Sequence, residues 1–75
     1  MLSLRHFLLR QQAITLYRHI IRASRAIPDP LARAETLAFF RAEFDRTMQH
    51  RDIDLADSAI KAARREARRI LPLAY

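Results

Sequence analysis

The segment that decides the fold is residues 3–30, SLRHFLLRQQAITLYRHIIRASRAIPDP, in which apolar side chains recur every three or four positions up to a proline break. This period is typical of an α-helix with one face turned toward a core. Ser3 is a suitable N-cap, and Pro28 disfavours helical angles at Ile27. The segment therefore predicts one long helix followed by a sharp turn.

The remainder of the chain predicts two more helices. Pro30 suits the first turn of a second helix, and Asp52 or Asp54 can cap a third. The chain contains no glycine and only three prolines, so long helices with short connections are expected. We predict a single all-α domain over residues 1–75, folded as an antiparallel three-helix bundle. The predicted helices are residues 3–26, 30–50 and 53–71.

Length and composition point to a partner. A chain of 75 residues buries only about 60% of the surface that its unfolded form exposes. Small domains gain further stability from disulfides, metals or partners, and this chain has no cysteine. His6, His19 and His50 have neither the spacing of a ligand pair nor a neighbouring cysteine, so we interpret them as surface residues and expect no metal. A partner is the remaining stabiliser, and the net charge of +6 indicates an acidic one.

Charge is distributed unevenly along the chain. Residues 1–28 hold five arginines and no acid, which is similar to a mitochondrial transit sequence, although here the same residues belong to the predicted domain. We interpret them as an uncleaved internal signal. No apolar run approaches the ~20 residues of a membrane span, so no membrane insertion is expected.

The apolar face of the first helix is wider than a three-helix bundle needs. One stripe and an adjoining one together cover roughly 200° of arc, where ~100° would suffice. Something beyond the other two helices should therefore cover the remainder, either a partner helix or an apolar ligand. The third helix presents mainly alanines, which fits close approach of the helices, the commoner reason, or a lengthwise channel. The two stripes comprise Leu9, Ala13, Leu16, Ile20, Ala23 and Ile27, and Phe7, Ile14, Tyr17 and Ile21.

Leu16-Tyr17-Arg18, in the first helix of a small basic chain, resembles the motif that names the LYR family. Phe44, within Arg41-Ala42-Glu43-Phe44 of the second helix, matches the second hallmark of that family. The segment with Phe7 and Arg10-Gln11-Gln12 is most similar to the branch called LYR motif-containing protein two. The resemblance extends from residue 2 to about 46, and beyond that only helical character and length agree.

The resemblance implies a helical fold whose core admits an acyl chain. The acyl chain would come from a mitochondrial acyl carrier protein, attached to the 4′-phosphopantetheine arm of that carrier. This protein would then need no cofactor of its own. Phe44 would stand near the mouth where the thioester enters. The residues expected to line the channel are Leu16, Ile20, Leu37, Phe40, Phe44, Ala56 and Ala63.

The resemblance also implies a surface for the acidic carrier protein. The basic residues of this surface would pair with carboxylates of the carrier or with the phosphate of its prosthetic group. The sequence departs from the family pattern at Asp45 and Met48, where basic residues are usual, and Arg46 or Arg51 would substitute. The expected carrier-binding residues are Arg10, Tyr17, Arg18, Arg41, Phe44 and Arg46.

A non-enzymatic adaptor is the predicted function. No nucleophile with its base, carboxylate dyad, glycine-rich phosphate loop or metal site can be assembled from these residues. The resemblance implies an adaptor that docks an acylated carrier on a respiratory-chain client, with complex I assembly or an accessory subunit as the first choice. It also implies the mitochondrial matrix as the location. The alternatives are a mitochondrial ribosome-associated LYR factor or RNA-binding factor, in which the C-terminal bases neutralise RNA phosphates, and a membrane-surface helix.

The same residues also have simpler, structural interpretations. Tyr17 on an apolar stripe is more often a core residue than a recognition residue. Arg18 is equally compatible with an ordinary solvated arginine, and Arg41 with a partner of Glu43 or Asp45. The basic run of residues 61–69 is typical of a solvated helix face.

Overall fold

The computed structural model describes residues 3–72, and within them the chain forms an all-α bundle of three helices. The helices are α1 (Leu4–Ser24), α2 (Pro30–Gln49) and α3 (Ile53–Ile70). No strand occurs in this part of the chain. The predicted fold class is confirmed.

Each helix begins at a side-chain cap. The Ser3 hydroxyl accepts a hydrogen bond from the backbone N–H of His6, whose ring in turn accepts from the backbone N–H of Ser3, so that the two residues form a capping box. Asp29 caps α2, with Pro30 at the first helical position. Asp52, one of the two predicted candidates, caps α3. The helix starts therefore follow from local chemistry.

The helix α1 ends at Ser24, two residues before the predicted end at Ala26. Just beyond the helix, backbone N–H groups donate to carbonyls three residues earlier. The N–H of Ala26 donates to Ala23 at 3.1 Å, and the N–H of Ile27 donates to Ser24 at 3.0 Å. Such bonds tighten the final turn and satisfy carbonyls that the helix would otherwise leave free. The chain then enters the proline turn at Pro28.

The helices run alternately up and down. The start of α1 lies beside the connection between α2 and α3, because Nε2 of His6 is 3.1 Å from the carbonyl of Arg51. Arg5 also forms an ion pair at 3.5 Å with Asp54 in the first turn of α3. Consequently α1 and α3 point the same way, and α2 runs antiparallel to both.

The core is assembled from α1 and α3 around one aromatic residue of α2. Phe40 is 1% exposed and is the largest fully buried side chain, while Ser24 is buried with its hydroxyl donating to the carbonyl of Ile21. The buried apolar residues are Leu9, Ala13, Leu16, Ile20, Phe40, Ala56, Ile60, Ala67 and Leu71.

Part of the wide apolar face of α1 remains uncovered, as the sequence predicts. The stripe containing Leu9 and Ile20 is buried, but Phe7 on the adjoining stripe is 53% exposed and Ile21 is 36% exposed. The bundle therefore leaves an apolar strip on the side of α1 that carries Tyr17.

Candidate functional site

The centre of the candidate site is an aromatic pair between α1 and α2. The ring of Tyr17 stacks on the ring of Phe44, with centroids 5.1 Å apart and planes inclined by 28°. Both side chains are half-buried, and both pack against the core. The two sequence hallmarks, Tyr17 and Phe44, are twenty-seven positions apart in the chain and yet meet at one place.

A small cavity of about 20 Å³ lies behind this pair. It is close to the size that one water molecule needs, and its walls are almost wholly apolar. All three helices contribute to it. The lining residues are Ala13, Leu16, Tyr17, Ile20, Phe40, Glu43, Phe44, Thr47, Ile60 and Ala63.

A larger cavity of about 230 Å³, partly open to solvent, lies at the end of the bundle where α1 begins. Its floor is aliphatic and its rim carries basic and imidazole groups. It shares Ala13, Thr47 and Ile60 with the small cavity, so the two lie end to end along the bundle. The lining residues are His6, Leu9, Arg10, Ala13, Thr47, Met48, His50, Ala56 and Ile60.

Six of the seven residues predicted to line a channel border one of these cavities. Ala56 borders the larger one, and Leu37 borders neither, being half-buried elsewhere on α2. The other five border the small cavity, namely Leu16, Ile20, Phe40, Phe44 and Ala63. The predicted set therefore lies mainly behind the aromatic pair, and the larger space opens beyond it.

The residues predicted to contact a carrier protein differ in their surroundings. Arg10 is exposed and lies on the rim of the larger cavity. Arg18 and Arg41 are exposed, and neither takes part in an ion pair found within residues 3–72. Arg46, by contrast, is already paired with Glu43 one turn earlier on α2. Its guanidinium is thus held by its own helix.

Sequence reasoning missed the polar rim of the larger cavity. His6 and His50 line it, and His6 also forms the capping box with Ser3. A Ser-x-x-His pattern at the start of a helix is a variant of the Ser-x-x-Glu capping signature, and this spacing is the signal that was available. Met48, which occupies a position that is usually basic in the family pattern, borders the same cavity with an apolar side chain.

The exposed side of α3 is held partly by ion pairs within the helix. Lys61 pairs with Asp57 at 3.0 Å, and Arg69 pairs with Glu66 at 2.6 Å. The hydrogen bond from Arg69 holds the pKa of Glu66 below its usual value, and the same bond raises the pKa of Arg69. Glu66 is therefore ionised and engaged with Arg69 at neutral pH.

Within residues 3–72, no group of three or more His, Cys, Asp or Glu side chains is placed to hold a metal ion. No helix in that part of the chain is both long and apolar enough to cross a membrane.

Comparison with known proteins gives one match. The family model described as Complex 1 protein (LYR family) matches residues 11–69, which is most of the chain. The chain belongs to the LYR family. No curated protein and no solved structure matches this LYR protein. The matched region includes both Tyr17 and Phe44, so the family pattern covers the aromatic pair and most of the walls of both cavities.

Members of the LYR family are generally non-enzymatic adaptors, and they are typically mitochondrial. The family match therefore supports a small adaptor protein for this chain.

Proposed function

We propose that this LYR protein is an adaptor of the mitochondrial matrix that captures an acylated acyl carrier protein. The observation that carries the proposal is the pair of cavities lying end to end between the open end of the bundle and the aromatic pair Tyr17–Phe44. An extended aliphatic chain is a ligand of matching shape for such a space.

The chemistry of the cavities supports an acyl chain. An apolar cavity of about 150 Å³ accommodates a molecule of the size of benzene. The larger cavity here has about 230 Å³ and an aliphatic floor that includes Leu9, Ala56 and Ile60. Burial of each methylene contributes about 0.8 kcal/mol before the cost of ordering the chain. Capture should consequently depend on acylation of the carrier.

The charges around the cavities support an acidic protein as the source of that chain. Arg10 stands on the rim of the larger cavity, where it can meet the phosphate of a 4′-phosphopantetheine arm. Arg18 and Arg41 are exposed on α1 and α2, the helices that carry the aromatic pair. Each exposed contact contributes little, about 0.2–1 kcal/mol, but several together orient a partner and speed its association.

The uncovered apolar strip of α1 supports the same partner. Phe7 and Ile21 are exposed large apolar side chains on the helix that holds Arg10 and Arg18. An interface with an apolar centre and basic residues at its rim matches the usual anatomy of protein–protein contacts. The carrier would then cover the part of α1 that α2 and α3 leave exposed.

The client of this adaptor is proposed to be respiratory complex I or one of its assembly intermediates. Two observations support this choice, namely the family description, which refers to complex 1, and the similarity of Phe7 and Arg10-Gln11-Gln12 to LYR motif-containing protein two.

The test is reconstitution of the purified full chain with acylated and with unacylated carrier protein, followed by size exclusion and intact-mass measurement. We expect a one-to-one complex with the acylated form and weak or no binding of the unacylated one. Equal binding of both forms would reject the acyl-chain proposal. A pull-down from mitochondria, with identification of the proteins recovered in stoichiometric amount, then tests the matrix location and the client.

A further inference from the structure

The exposed face of α3 that contains Lys61, Arg65 and Arg68 has a charge gradient along its length. At 100° per residue, six charged side chains of α3 fall within an arc of about 100° beside the buried stripe. The two acids come first along the helix and the four bases follow. These residues, called the α3 charged face below, are Asp54, Asp57, Lys61, Arg64, Arg65 and Arg68.

Helix stability explains only part of this pattern. Cations in the last turn, here Arg68 and Arg69, interact favourably with the helix dipole. Arg64 and Arg65 lie before that turn, and neither joins an ion pair found within residues 3–72. Like charges three and four positions apart, as between Lys61 and Arg65, destabilise an isolated helix. Lys61 is nevertheless paired with Asp57, and Arg68 is favoured by the helix dipole, so the bases of the α3 charged face that helix stability leaves unexplained are Arg64 and Arg65.

Arg64 also lowers the stability of the fold. Its Nε atom is excluded from solvent and has no hydrogen-bond partner in the described part of the chain. A buried donor without a partner destabilises the fold, and an alanine here would avoid the penalty. Contacts within the described part of the chain therefore do not explain an arginine at this position.

The α3 charged face is separate from the proposed carrier site. Only the small and aliphatic residues of α3, Ala56, Ile60 and Ala63, border the two cavities. None of the bases of the α3 charged face borders either cavity. A carrier that enters beside Arg10 and Tyr17 therefore does not cover the α3 charged face.

We propose that the α3 charged face docks an acidic helical segment of a second protein, whose carboxylates recur three and four residues apart. Lys61, Arg65 and Arg68 span about 10 Å along the helix axis, and a partner helix with the same spacing of carboxylates lies alongside in register. Arginine binds carboxylates through two parallel hydrogen bonds, which gives this contact orientation as well as charge complementarity. This inference rests on the proposed adaptor function only in identifying that second protein as the client.

An RNA partner fits the α3 charged face less well. The residues of α3 include no aromatic side chain on which a base could stack. The spacing of Lys61, Arg65 and Arg68 instead matches carboxylates that recur three and four residues apart on a partner helix.

The experiment uses the full chain and three labelled probes. These are a helical peptide with glutamates at positions i, i+4 and i+7 of one face, a peptide of the same composition with that spacing scrambled, and a single-stranded RNA. Fluorescence anisotropy gives the affinity for each. We expect the patterned peptide to bind more tightly than the scrambled peptide and the RNA.

Two charge-reversal variants separate the two surfaces while they change the net charge equally. Arg65→Glu/Arg68→Glu should weaken binding of the patterned peptide by roughly tenfold or more and keep capture of the acylated carrier. Arg10→Glu/Arg18→Glu should do the opposite. Circular dichroism and thermal unfolding confirm that both variants are folded.

Several results would overturn the inference. They are equal affinity for the patterned and scrambled peptides, tighter binding of the RNA, an equal loss of peptide binding in both variants, and loss of carrier capture in the α3 variant. If the unmodified chain binds the patterned peptide through α3 but captures no carrier, the inference is supported and the proposed carrier function is rejected.

Discussion

The ring of Tyr17 lies against the ring of Phe44 at a centroid separation of 5.1 Å, which joins the middle of α1 to the second half of α2. The two residues stand on the open side of a small cavity that Leu16, Ile20 and Phe40 close from within. The pair therefore has a structural role in holding α2 on α1, and under the proposed function it also borders the path of the acyl chain. Substitutions at Tyr17 can separate these roles.

Replacement of Tyr17 by alanine should destabilise the fold, and replacement by phenylalanine should not. The alanine variant loses the stacked contact and much of the apolar area of a half-buried ring, about 2 kcal/mol in total. No hydrogen bond to the Tyr17 hydroxyl is found within residues 3–72, so Tyr17→Phe should change the unfolding free energy by less than about 0.5 kcal/mol. Urea unfolding followed by circular dichroism measures both. Equal destabilisation by the two variants would show that the hydroxyl contributes.

His6 should contribute to stability through two contacts that converge on its ring. Since the carbonyl of Arg51 can only accept, Nε2 of His6 donates to it, and Nδ1 is then the acceptor for Ser3. His6→Ala removes the bond from α1 to the connection between α2 and α3 and half of the capping box, at a cost of about 1–2 kcal/mol. Thermal unfolding checks this value.

His50→Ala is the matched control for that experiment. His50 borders the same cavity, but the only hydrogen bond found for it within residues 3–72 is that of its backbone N–H to Thr47. Its replacement should leave the unfolding temperature nearly unchanged. A loss as large as that of His6→Ala would contradict the assignment of the stability to the His6–Arg51 contact.

Filling the larger cavity should reduce carrier capture without destabilising the fold. Ala56 is buried and borders that cavity, so the Ala56→Leu side chain can occupy existing space of about 230 Å³. The added apolar burial should raise the unfolding free energy by up to about 1 kcal/mol. The acyl chain then loses the space that it requires, and affinity for the acylated carrier should fall.

Ala42→Leu provides the control for the cavity experiment, because Ala42 is an exposed helical position that borders neither cavity. Isothermal titration calorimetry with the acylated carrier compares the two variants. Unchanged affinity in Ala56→Leu would exclude the larger cavity as the acyl site.

Much of this arrangement was predictable from sequence because it depends on local signals. The caps at Ser3 and Asp29 and the proline turn fix where α1 and α2 begin, and the apolar period of α1 gives the stripe that is buried. The stacking of Tyr17 on Phe44 was not predicted, since helical spacing gives no register between two helices, and the family resemblance only placed both residues in the expected carrier-binding set. The larger cavity was not predictable, because it arises where His6, Met48 and Ala56 from three helices fail to fill the end of the bundle.

The position of the carrier surface is tested by three single substitutions. Arg18→Glu reverses a charge on the exposed side of α1, and Phe44→Glu places a charge in the aromatic pair, so both should abolish capture of the acylated carrier. Arg68→Glu, on α3, should leave capture intact. Binding is measured by calorimetry, after circular dichroism has shown that each variant is helical. Arg18→Lys, which keeps the charge, should retain most of the affinity and distinguishes charge from shape. If all three glutamate variants bind the carrier equally well, the carrier does not dock on the surface formed by α1 and α2.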